Sequence, residues 1–356
     1  MRSFFTYILR KAFWYVLTTL LITASLYGMV MLTPTEERAS LYFPANTGRM
    51  TEKQIADMTE RIIVKYHLRE PYPVQYVYWL GSLFQGGWGY SPTLKDEVLP
   101  TLLRLTPATA ELTLVSTLLF FPLGLFGGIR SGSRRRTLED RAFRMAAFAA
   151  TSIPPFLLGI LLMIIFYVEL YWFQPGRLSN AFEIVISEPS YRAFTGILTI
   201  DGLLNGQPEI SMDALRHLAM PAITLSFPLW ALVGRLTRAS MIDELGHDYI
   251  VAARSRGLSE PRILWGHALR NVISPVISTS VLSTASIMTS AFIAEIIFNY
   301  PGISYVARMS LSGVPDTPAA LGFAVYCVLI VMVLLAALDV IQAVIDPRVY
   351  QGAHSG

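Results

Sequence analysis

Serine and threonine residues are concentrated in one apolar segment, and their spacing is suited to contact with a polar solute. Eight of them lie between positions 278 and 290. Their hydroxyl groups can donate and accept hydrogen bonds, but small side chains also allow membrane helices to pack closely. Close helix packing and a polar solute path therefore both fit this segment. The residues that would line a path are spaced four, three and four apart: Thr279, Ser283, Ser286 and Ser290.

Three acidic residues, Glu111, Glu295 and Asp339, lie within or close to apolar segments. A carboxylate inside a membrane is costly and is a candidate functional group by default. Each of the three also lies within reach of the end of its segment, where hydration or an arginine partner explains it more simply. We therefore expect no proton relay.

Residue patterns typical of catalysis or metal binding are missing from the sequence. The five histidines are scattered without metal-ligand spacing, and no Ser/His/Asp or Cys/His arrangement is evident. The one cysteine, Cys327, falls in an apolar segment, where it is expected to pack as a small apolar residue. A phosphate-binding P-loop needs a Gly-Lys pair, and the sequence has none. We expect no catalytic residue, no metal and no cofactor in this chain.

The composition places these residues in a membrane protein. Hydrophobic residues make up 53% of the chain and charged residues 15%, whereas soluble domains carry about 25% charged residues. A helix needs about 20 mostly apolar residues to cross a bilayer. Six segments qualify: residues 12–32, 109–129, 143–170, 217–236, 272–298 and 318–341. The sequence therefore predicts an all-α protein with six transmembrane helices, surrounded by a lipid bilayer.

The positions of arginine and lysine predict the orientation of these helices, because loops on the cytoplasmic side carry an excess of both. With a cytoplasmic N-terminus, the short inner segments hold dense arginine clusters at residues 130–144 and 235–270. Both termini are therefore expected in the cytoplasm. The first apolar segment is too long for a secretory signal and is expected to be a retained anchor. The clusters account for the net charge of +3, so no nucleic-acid partner is expected.

The predicted helices divide the chain into four parts. Residues 1–32 are the N-terminal transmembrane helix, 33–108 an extracytoplasmic helical loop, 109–346 the transmembrane core and 347–356 a cytoplasmic tail. In the loop, Thr51 and Gln54 have the spacing of a capping box ahead of apolar residues at helical period. The glycine-rich run at residues 86–90 predicts a turn.

Prolines predict irregular helices in the third and fourth spans. Pro154 and Pro155 remove two backbone donors and should kink or break the third span, and Pro221 and Pro228 lie within the fourth. Broken helices occur at membrane depth only inside protein or beside a water-filled cavity. These spans are therefore expected to face other helices or a pathway.

The segment between the fourth and fifth spans, residues 237–271, is too long for a simple turn. Residues 248–257 predict a short helix that ends at Gly257 in a left-handed conformation. Ser259 is expected to cap a second helix, with Glu260 and Pro261 in its first turn. Residues 237–271 should therefore form a rigid projection on the cytoplasmic side.

Ala252, Ala253 and Gly257 form a small-small-x-x-x-Gly pattern, preceded by Val251. This pattern resembles the cytoplasmic Glu-Ala-Ala-x-x-x-Gly loop of ABC importer permeases, with Val251 where that loop has Glu. We call residues 237–271 the coupling loop. The longer run at residues 253–275 is similar to the dipeptide/oligopeptide/nickel permease family, in the branch with a long first outer loop. Further matches to that branch extend along the chain, at residues 7–10, 73–76, 79–81, 107–112, 236–241, 301–303 and 346–348.

The resemblance implies a type I ABC importer permease fold in the plasma or inner membrane of a bacterium or archaeon. The chain would form half of the translocation path for dipeptides, oligopeptides or similar solutes. The implied partners are a second homologous permease, two ATP-binding subunits that hold ATP and Mg²⁺, and an extracytoplasmic solute-binding protein. The residues expected to couple the chain to the ATPases are Tyr249, Ala252, Ala253, Arg254, Arg256 and Gly257.

Ala252 and Ala253 have small side chains, so an ATPase subunit could approach the helix closely at these positions. Arg254 and Arg256 could pair with acidic residues of that subunit at the edge of the contact. The same two arginines also fit the general excess of positive charge on the cytoplasmic side. Lacking a P-loop, the chain must draw its energy from another subunit.

Two other classes of protein remain as alternatives. A secondary transporter would work without ATP and without the helix–glycine–helix projection. A membrane-embedded transferase would need a cluster of acids or histidines at the membrane surface, and residues 33–108 show only dispersed charges. Among importers, the sequence does not select between dipeptides, longer peptides, nickel complexes and oligosaccharides.

Overall fold

The structure is a computed structural model that describes residues 2–43, 50–312 and 316–345. The predicted cytoplasmic tail at 347–356 and the family match at 346–348 lie outside these residues. Within them the chain is almost entirely helical, with one short β-hairpin, which confirms the predicted all-α fold.

The described residues form fifteen α-helices: α1 (Arg2–Val30), α2 (Thr35–Ala39), α3 (Glu52–Lys65), α4 (Tyr72–Phe84), α5 (Val98–Ser133), α6 (Leu138–Ser152), α7 (Pro155–Leu162), α8 (Asn180–Ile186), α9 (Leu198–Leu204), α10 (Pro208–Glu244), α11 (Asp248–Ser255), α12 (Glu260–Arg262), α13 (Leu269–Ile297), α14 (Ser304–Ser310) and α15 (Thr317–Ile345). A 3₁₀ turn (Ser40–Tyr42) follows α2. π-helical segments extend α7 (Met163–Glu169) and join α12 to α13 (Ile263–Ala268). Strands β1 (Tyr90–Ser91) and β2 (Asp96–Glu97) pair antiparallel.

Five helices of the described chain are long and apolar enough to cross a membrane: α1, α5, α10, the continuous helix Glu260–Ile297, and α15. The consecutive helices α6 and α7 provide a sixth candidate if they count as one span, and they meet at an angle of 98°. The break falls at Pro154 and Pro155, which have no backbone N–H to continue a helix. The predicted break in the third span is therefore confirmed.

The prolines of the fourth span behave differently from the prediction. Both Pro221 and Pro228 lie inside α10, which continues as one helix. The helix is therefore not broken at these residues, and its burial agrees with the expectation that this span faces other helices. Neighbouring helices can stabilise a proline-containing helix at membrane depth, and much of α10 is buried.

The chain forms two compact units, and each has its own interior. The first contains Met1–Pro107 and Gly302–Ala337, and the second contains Ala108–Pro301 and Leu338–Gly356.

In the first unit, residues from the segment between α1 and α5 pack on α1 and on the start of α15. The Tyr27 ring of α1 stacks on Trp79 of α4 with 4.8 Å between centroids. Asp316, just before α15, accepts hydrogen bonds from Ser91 Oγ at 2.5 Å and from the Thr93 N–H at 3.2 Å. The predicted capping box of Thr51 begins α3 as expected.

In the second unit, glycines allow α5 and α10 to pack very closely. Gly124, Gly128 and Gly132 are spaced four residues apart along α5. A Cβ atom at Gly128 would lie 2.5 Å from the Cβ of Thr237 and 2.6 Å from the carbonyl oxygen of Gly234. Small residues at this spacing permit close helix contact in membranes. No larger residue fits there without moving α10.

A buried ion pair holds the ends of three helices of the second unit together. The Asp140 side chain of α6 is 1% exposed. Its carboxylate accepts hydrogen bonds from Arg238 Nε of α10 at 2.6 Å and from Ser131 Oγ of α5 at 2.7 Å. The Arg136 N–H donates a third at 3.0 Å. Because the buried charge is both paired and hydrogen-bonded, it can persist away from water.

Candidate coupling and translocation site

The left-handed turn predicted at Gly257 is present after α11, and we call this turn the elbow. The backbone of Gly257 has φ +78°, in the left-handed region. The Leu258 N–H donates to the Ala253 carbonyl at 3.2 Å, and the Gly257 N–H donates to the Arg254 carbonyl at 2.9 Å. These two bonds form a Schellman motif, which satisfies carbonyls at the end of the helix. A Cβ atom at Gly257 would meet no atom within 4 Å, so a substitution is opposed by backbone conformation alone.

The segment after the elbow leads directly into the fifth span. Helix α12, the π-helical segment and α13 form one continuous helix, Glu260–Ile297. Ser259 occupies the N-cap position and Pro261 lies in the first turn, as predicted, but the Ser259 side chain makes no capping hydrogen bond. Movement of the elbow would therefore reach the fifth span without an intervening loop.

Helix α11 is fixed to the membrane helices on either side of it. Ile250 and Ala253 are buried in the core cluster of the second unit. The Tyr249 hydroxyl donates to the Glu244 carboxylate near the end of α10. Asn271 Nδ2, at the start of α13, donates to the same carboxylate at 2.7 Å. Tyr249 thus belongs to a hydrogen-bonded cluster that joins α10, α11 and α13.

The expected docking residues lie on two different faces of α11. Ala252, Arg254 and Arg256 are exposed, and Tyr249 is 40% exposed. Ala253 is only 9% exposed and packs toward the interior. The expectation that both alanines present a docking surface was therefore wrong for Ala253, because its side chain is covered by this chain.

Val251 joins the exposed side of α11, with 54% of its surface accessible. It replaces the glutamate of the general pattern, so this one position is apolar where the pattern is charged. In the sequence, Val251 was identified only as a departure from the Glu-Ala-Ala-x-x-x-Gly pattern, and its position at the surface was not predicted.

Arg254 already has an acidic partner within the chain. Its Nε donates to Glu260 Oε1 at 2.8 Å and its Nη2 donates to Oε2 at 3.2 Å. These hydrogen bonds raise the pKa of the Arg254 guanidinium. Arg256 has no ion pair among the described residues and remains available to a partner's acid.

The serine-rich helix α13 carries an exposed stripe along one side. Its residues are spaced three, four, three, four and three apart: Thr279, Leu282, Ser286, Thr289, Ile293 and Ile296. Thr279 is half-buried and the other five are exposed. Of the four predicted path residues, Thr279 and Ser286 belong to this stripe and Ser290 is half-buried beside it. Ser283 is 4% exposed and faces the packed side.

Hydrogen bonding separates two groups of hydroxyls in α13. The hydroxyls of Ser280, Thr284 and Ser286 donate to carbonyls of their own helix at 2.7 to 2.9 Å. Within the part of the chain that the structure describes, four hydroxyls have no hydrogen-bond partner: those of Thr279, Ser283, Thr289 and Ser290. The first group fits the packing interpretation. In the second group, Thr279, Thr289 and Ser290 are accessible and can bind a solute or a partner subunit, whereas Ser283 is buried.

The acidic residues singled out in the sequence have protein partners. Glu111 pairs with Arg177 at 2.7 Å and accepts a hydrogen bond from the Thr199 N–H at 2.8 Å. Burial alone would lower the pKa of Arg177, but Tyr300 and Glu111 raise it more, so its net pKa is raised. Glu295 accepts a hydrogen bond from Thr109 Oγ1 at 2.5 Å. The expected arginine partner is thus confirmed for Glu111.

Comparison with known proteins identifies the family. Residues 121–351 match the family model described as "Binding-protein-dependent transport system inner membrane component". The di/tripeptide transport system permease protein DppB of Pseudomonas aeruginosa is 31% identical over 92% of this chain and 96% of its own length. The oligopeptide transport system permease protein AppB of Bacillus subtilis is 31% identical over 82% of this chain and 84% of its own length.

A third relative, the probable D,D-dipeptide transport system permease protein DdpB of Escherichia coli, is 32% identical over 83% of this chain and 85% of its own length. The matched family region, residues 121–351, covers both the coupling loop and α13. The chain therefore belongs to the binding-protein-dependent inner-membrane permeases of ABC transporters.

Proposed function

We propose that the protein is the permease subunit of an ATP-driven importer and forms half of the translocation path for dipeptides or oligopeptides. The observation that carries this proposal is the arrangement around Gly257. A short exposed helix ends in a Schellman motif and leads without a loop into the fifth span. Such an element is suited to receive a push from a partner and to pass it into the membrane.

The coupling step requires that α11 move as part of a rigid body. The Tyr249, Glu244 and Asn271 cluster ties it to the helices on both sides. The buried Ala253 seats it on the core. A nucleotide-dependent movement of an ATPase that contacts Val251, Ala252 and Arg256 would therefore displace α10 and α13 together.

The energy for this movement comes, in the proposal, from two partner subunits that bind ATP and Mg²⁺. A solute-binding protein delivers the solute to the side opposite the coupling loop. A second permease subunit completes the path, and the exposed stripe of α13 supplies the wall from this chain. The stripe supports this role because it combines unpaired hydroxyls with apolar side chains and is not covered within the described part of the chain.

Peptides are the proposed solutes because the three relatives named above are permeases of di/tripeptide, oligopeptide and probable D,D-dipeptide transport systems. The chain itself has the unpaired hydroxyls of Thr279, Thr289 and Ser290 to offer to peptide N–H and C=O groups. Charged path residues, which would favour one class of ion, are missing from the exposed stripe.

Reconstitution into liposomes tests the proposal. The chain, its partner permease, the ATPases and the binding protein are inserted together, and uptake of a radiolabelled dipeptide is followed. Uptake should require both ATP and the binding protein. Uptake driven by a proton or sodium gradient without ATP would show a secondary transporter instead, and covalent modification of a lipid or glycan by the chain alone would show a transferase.

A further inference from the structure

A cavity of about 190 Å³ lies where the broken third span meets the fourth and fifth spans. Pro155 and Phe156 of α7 form one wall, Thr224 and Leu225 of α10 another, and Ser290 and Ile293 of α13 a third. Its lining is mostly carbon, and the Ser290 hydroxyl makes no hydrogen bond among the described residues. The cavity is therefore apolar, with one free polar group.

The backbone beside the cavity indicates that this region does not face lipid. Helix α6 ends at Ser152, and the chain turns by 98° before α7 begins. Carbonyls near the end of α6 accept hydrogen bonds from side-chain hydroxyls, since Ser152 Oγ donates to the Phe148 carbonyl at 2.8 Å. Non-helical backbone at membrane depth is tolerated only inside protein or beside a water-filled cavity. Lipid tails are thus disfavoured as the occupant.

The cavity is continuous with the exposed stripe of α13. Ile293 belongs to both, because it lines the cavity and is 46% exposed. Thr289 and Ser286 precede it on the same stripe, about one and two helical turns away. A solute that moves along the stripe would therefore pass the opening of the cavity.

We infer that this cavity is a subsite for an apolar side chain of a peptide in transit, an inference that rests on the proposed function. A cavity of about 150 Å³ with apolar walls accommodates benzene, so the present volume accommodates one aliphatic or aromatic side chain. A charged side chain would lose its hydration there without gaining a partner. The Ser290 hydroxyl can hydrogen-bond the peptide backbone at the same place.

The subsite would give the permease a selectivity of its own. Peptides with leucine or phenylalanine side chains would be held at the break of the third span, and peptides of alanine or glycine would pass without filling the cavity. Selectivity among delivered peptides would then depend on this chain as well as on the binding protein.

The test compares two peptides in one reconstituted importer. Uptake of dileucine and dialanine is measured with the binding protein in excess and saturated by each peptide, so that delivery is equal. In Ser290→Phe the new ring fills the cavity, and the ratio of dileucine to dialanine uptake should fall about tenfold, as expected for loss of an apolar pocket. Ser290→Ala leaves the cavity open and should reduce both uptakes equally.

A matched control places the same ring outside the cavity. Ile223, beside Thr224 on α10, does not line the cavity and is 41% exposed, so Ile223→Phe should keep the wild-type ratio. An unchanged ratio in Ser290→Phe, with both peptides transported, would overturn the subsite and leave the proposed function intact. Failure of the wild-type importer to take up either peptide would instead overturn the proposed function.

Occupancy is tested directly with a cysteine at position 290 in a Cys327→Ala background. Dileucine should slow modification of Ser290→Cys by a thiol reagent, and dialanine should not. If dileucine protects the thiol no better than dialanine does, the cavity does not hold the apolar side chain and the inference is wrong.

Discussion

Arg254 and Glu260 face each other across the Gly257 elbow and form a two-point ion pair, with nitrogen to oxygen distances of 2.8 and 3.2 Å. One residue lies in the last turn of α11 and the other begins α12. The pair therefore connects the two helices whose angle the elbow sets. Both side chains are exposed, so the pair adds only modest stability, and the conformation of Gly257 remains the main determinant of the angle.

Substitution of Gly257 should uncouple ATP hydrolysis from transport. Gly257→Val places a branched side chain in a left-handed conformation, which is unfavourable by about 1 to 2 kcal/mol even for unbranched residues. The protein should insert and assemble, but dipeptide uptake should fall to background. Gly257→Asn should keep part of the activity, because asparagine tolerates this conformation.

The control for that series is Gly266, another exposed glycine of the coupling loop. A Cβ atom there would have no other atom within 4 Å, and its φ is not positive. Gly266→Ala should therefore transport normally. Normal uptake by Gly257→Val would contradict the proposed role of the elbow.

The neighbouring alanines should behave oppositely in cross-linking. A cysteine at exposed Ala252 should form a short chemical cross-link with an ATPase subunit when a thiol- and amine-reactive reagent is added. A cysteine at buried Ala253 should not, because this chain covers it. Electrophoresis of the cross-linked complex separates the outcomes, and equal cross-linking from both positions would show that α11 is rotated relative to this structure.

The Arg254 and Glu260 pair predicts non-additive effects. If Arg254 serves only to hold Glu260, then Arg254→Gln, Glu260→Gln and the double variant should show the same small loss of solute-stimulated ATP hydrolysis. If Arg254 instead binds an acid of the ATPase, Arg254→Gln should be the more harmful single change, and the two losses should add.

Two adjacent acids should contribute very differently to stability. Asp140→Asn removes the charge that Arg238 pairs with in a buried site, and we expect a loss of roughly 3 kcal/mol, the low end for buried pairs, because the Arg238 side chain is 20% exposed. Glu139→Gln removes an exposed pair with Arg130 and Arg134 and should change little. Thermal unfolding of the detergent-solubilised protein measures both, and equal shifts would contradict this assignment.

The predicted orientation can be tested by thiol labelling of intact cells. In a Cys327→Ala background, a cysteine at exposed Arg135 should be protected from a membrane-impermeant reagent, whereas one at exposed Glu188 should react. Reaction at both positions from outside would overturn the proposed membrane topology.

Local patterns in the sequence predicted the local structure well. The capping box at Thr51, the break at Pro154 and the left-handed Gly257 each depend on a few adjacent residues, and each is present. The exceptions concern packing. The prolines of α10 break nothing, because surrounding helices stabilise it, and Ser259 makes no side-chain cap although its position was correct.

Local sequence patterns could not predict contacts between residues that are far apart in the sequence. Arg177 and Glu111 are 66 positions apart, and Arg238 and Asp140 are 98 apart. No periodicity connects such residues, so the sequence could not identify Arg177 as the arginine partner of Glu111 or Arg238 as the partner of Asp140. The rotation of α13 about its axis likewise depends on its neighbours, and packing turned Ser283 inward while Thr289 lies at the surface.

The close contact at Gly128 has a mechanical consequence. Two helices that touch through glycine cannot slide past each other without separating, so α5 and α10 should tilt as a single rod. Helix α10 has 37 residues and is therefore about 55 Å long. A tilt of about 5° about one end would displace the other end of a rod of this length by roughly 5 Å. A displacement of that size is comparable to the width of a peptide backbone, so a small movement at the coupling loop is geometrically sufficient to open or close a path for the solute.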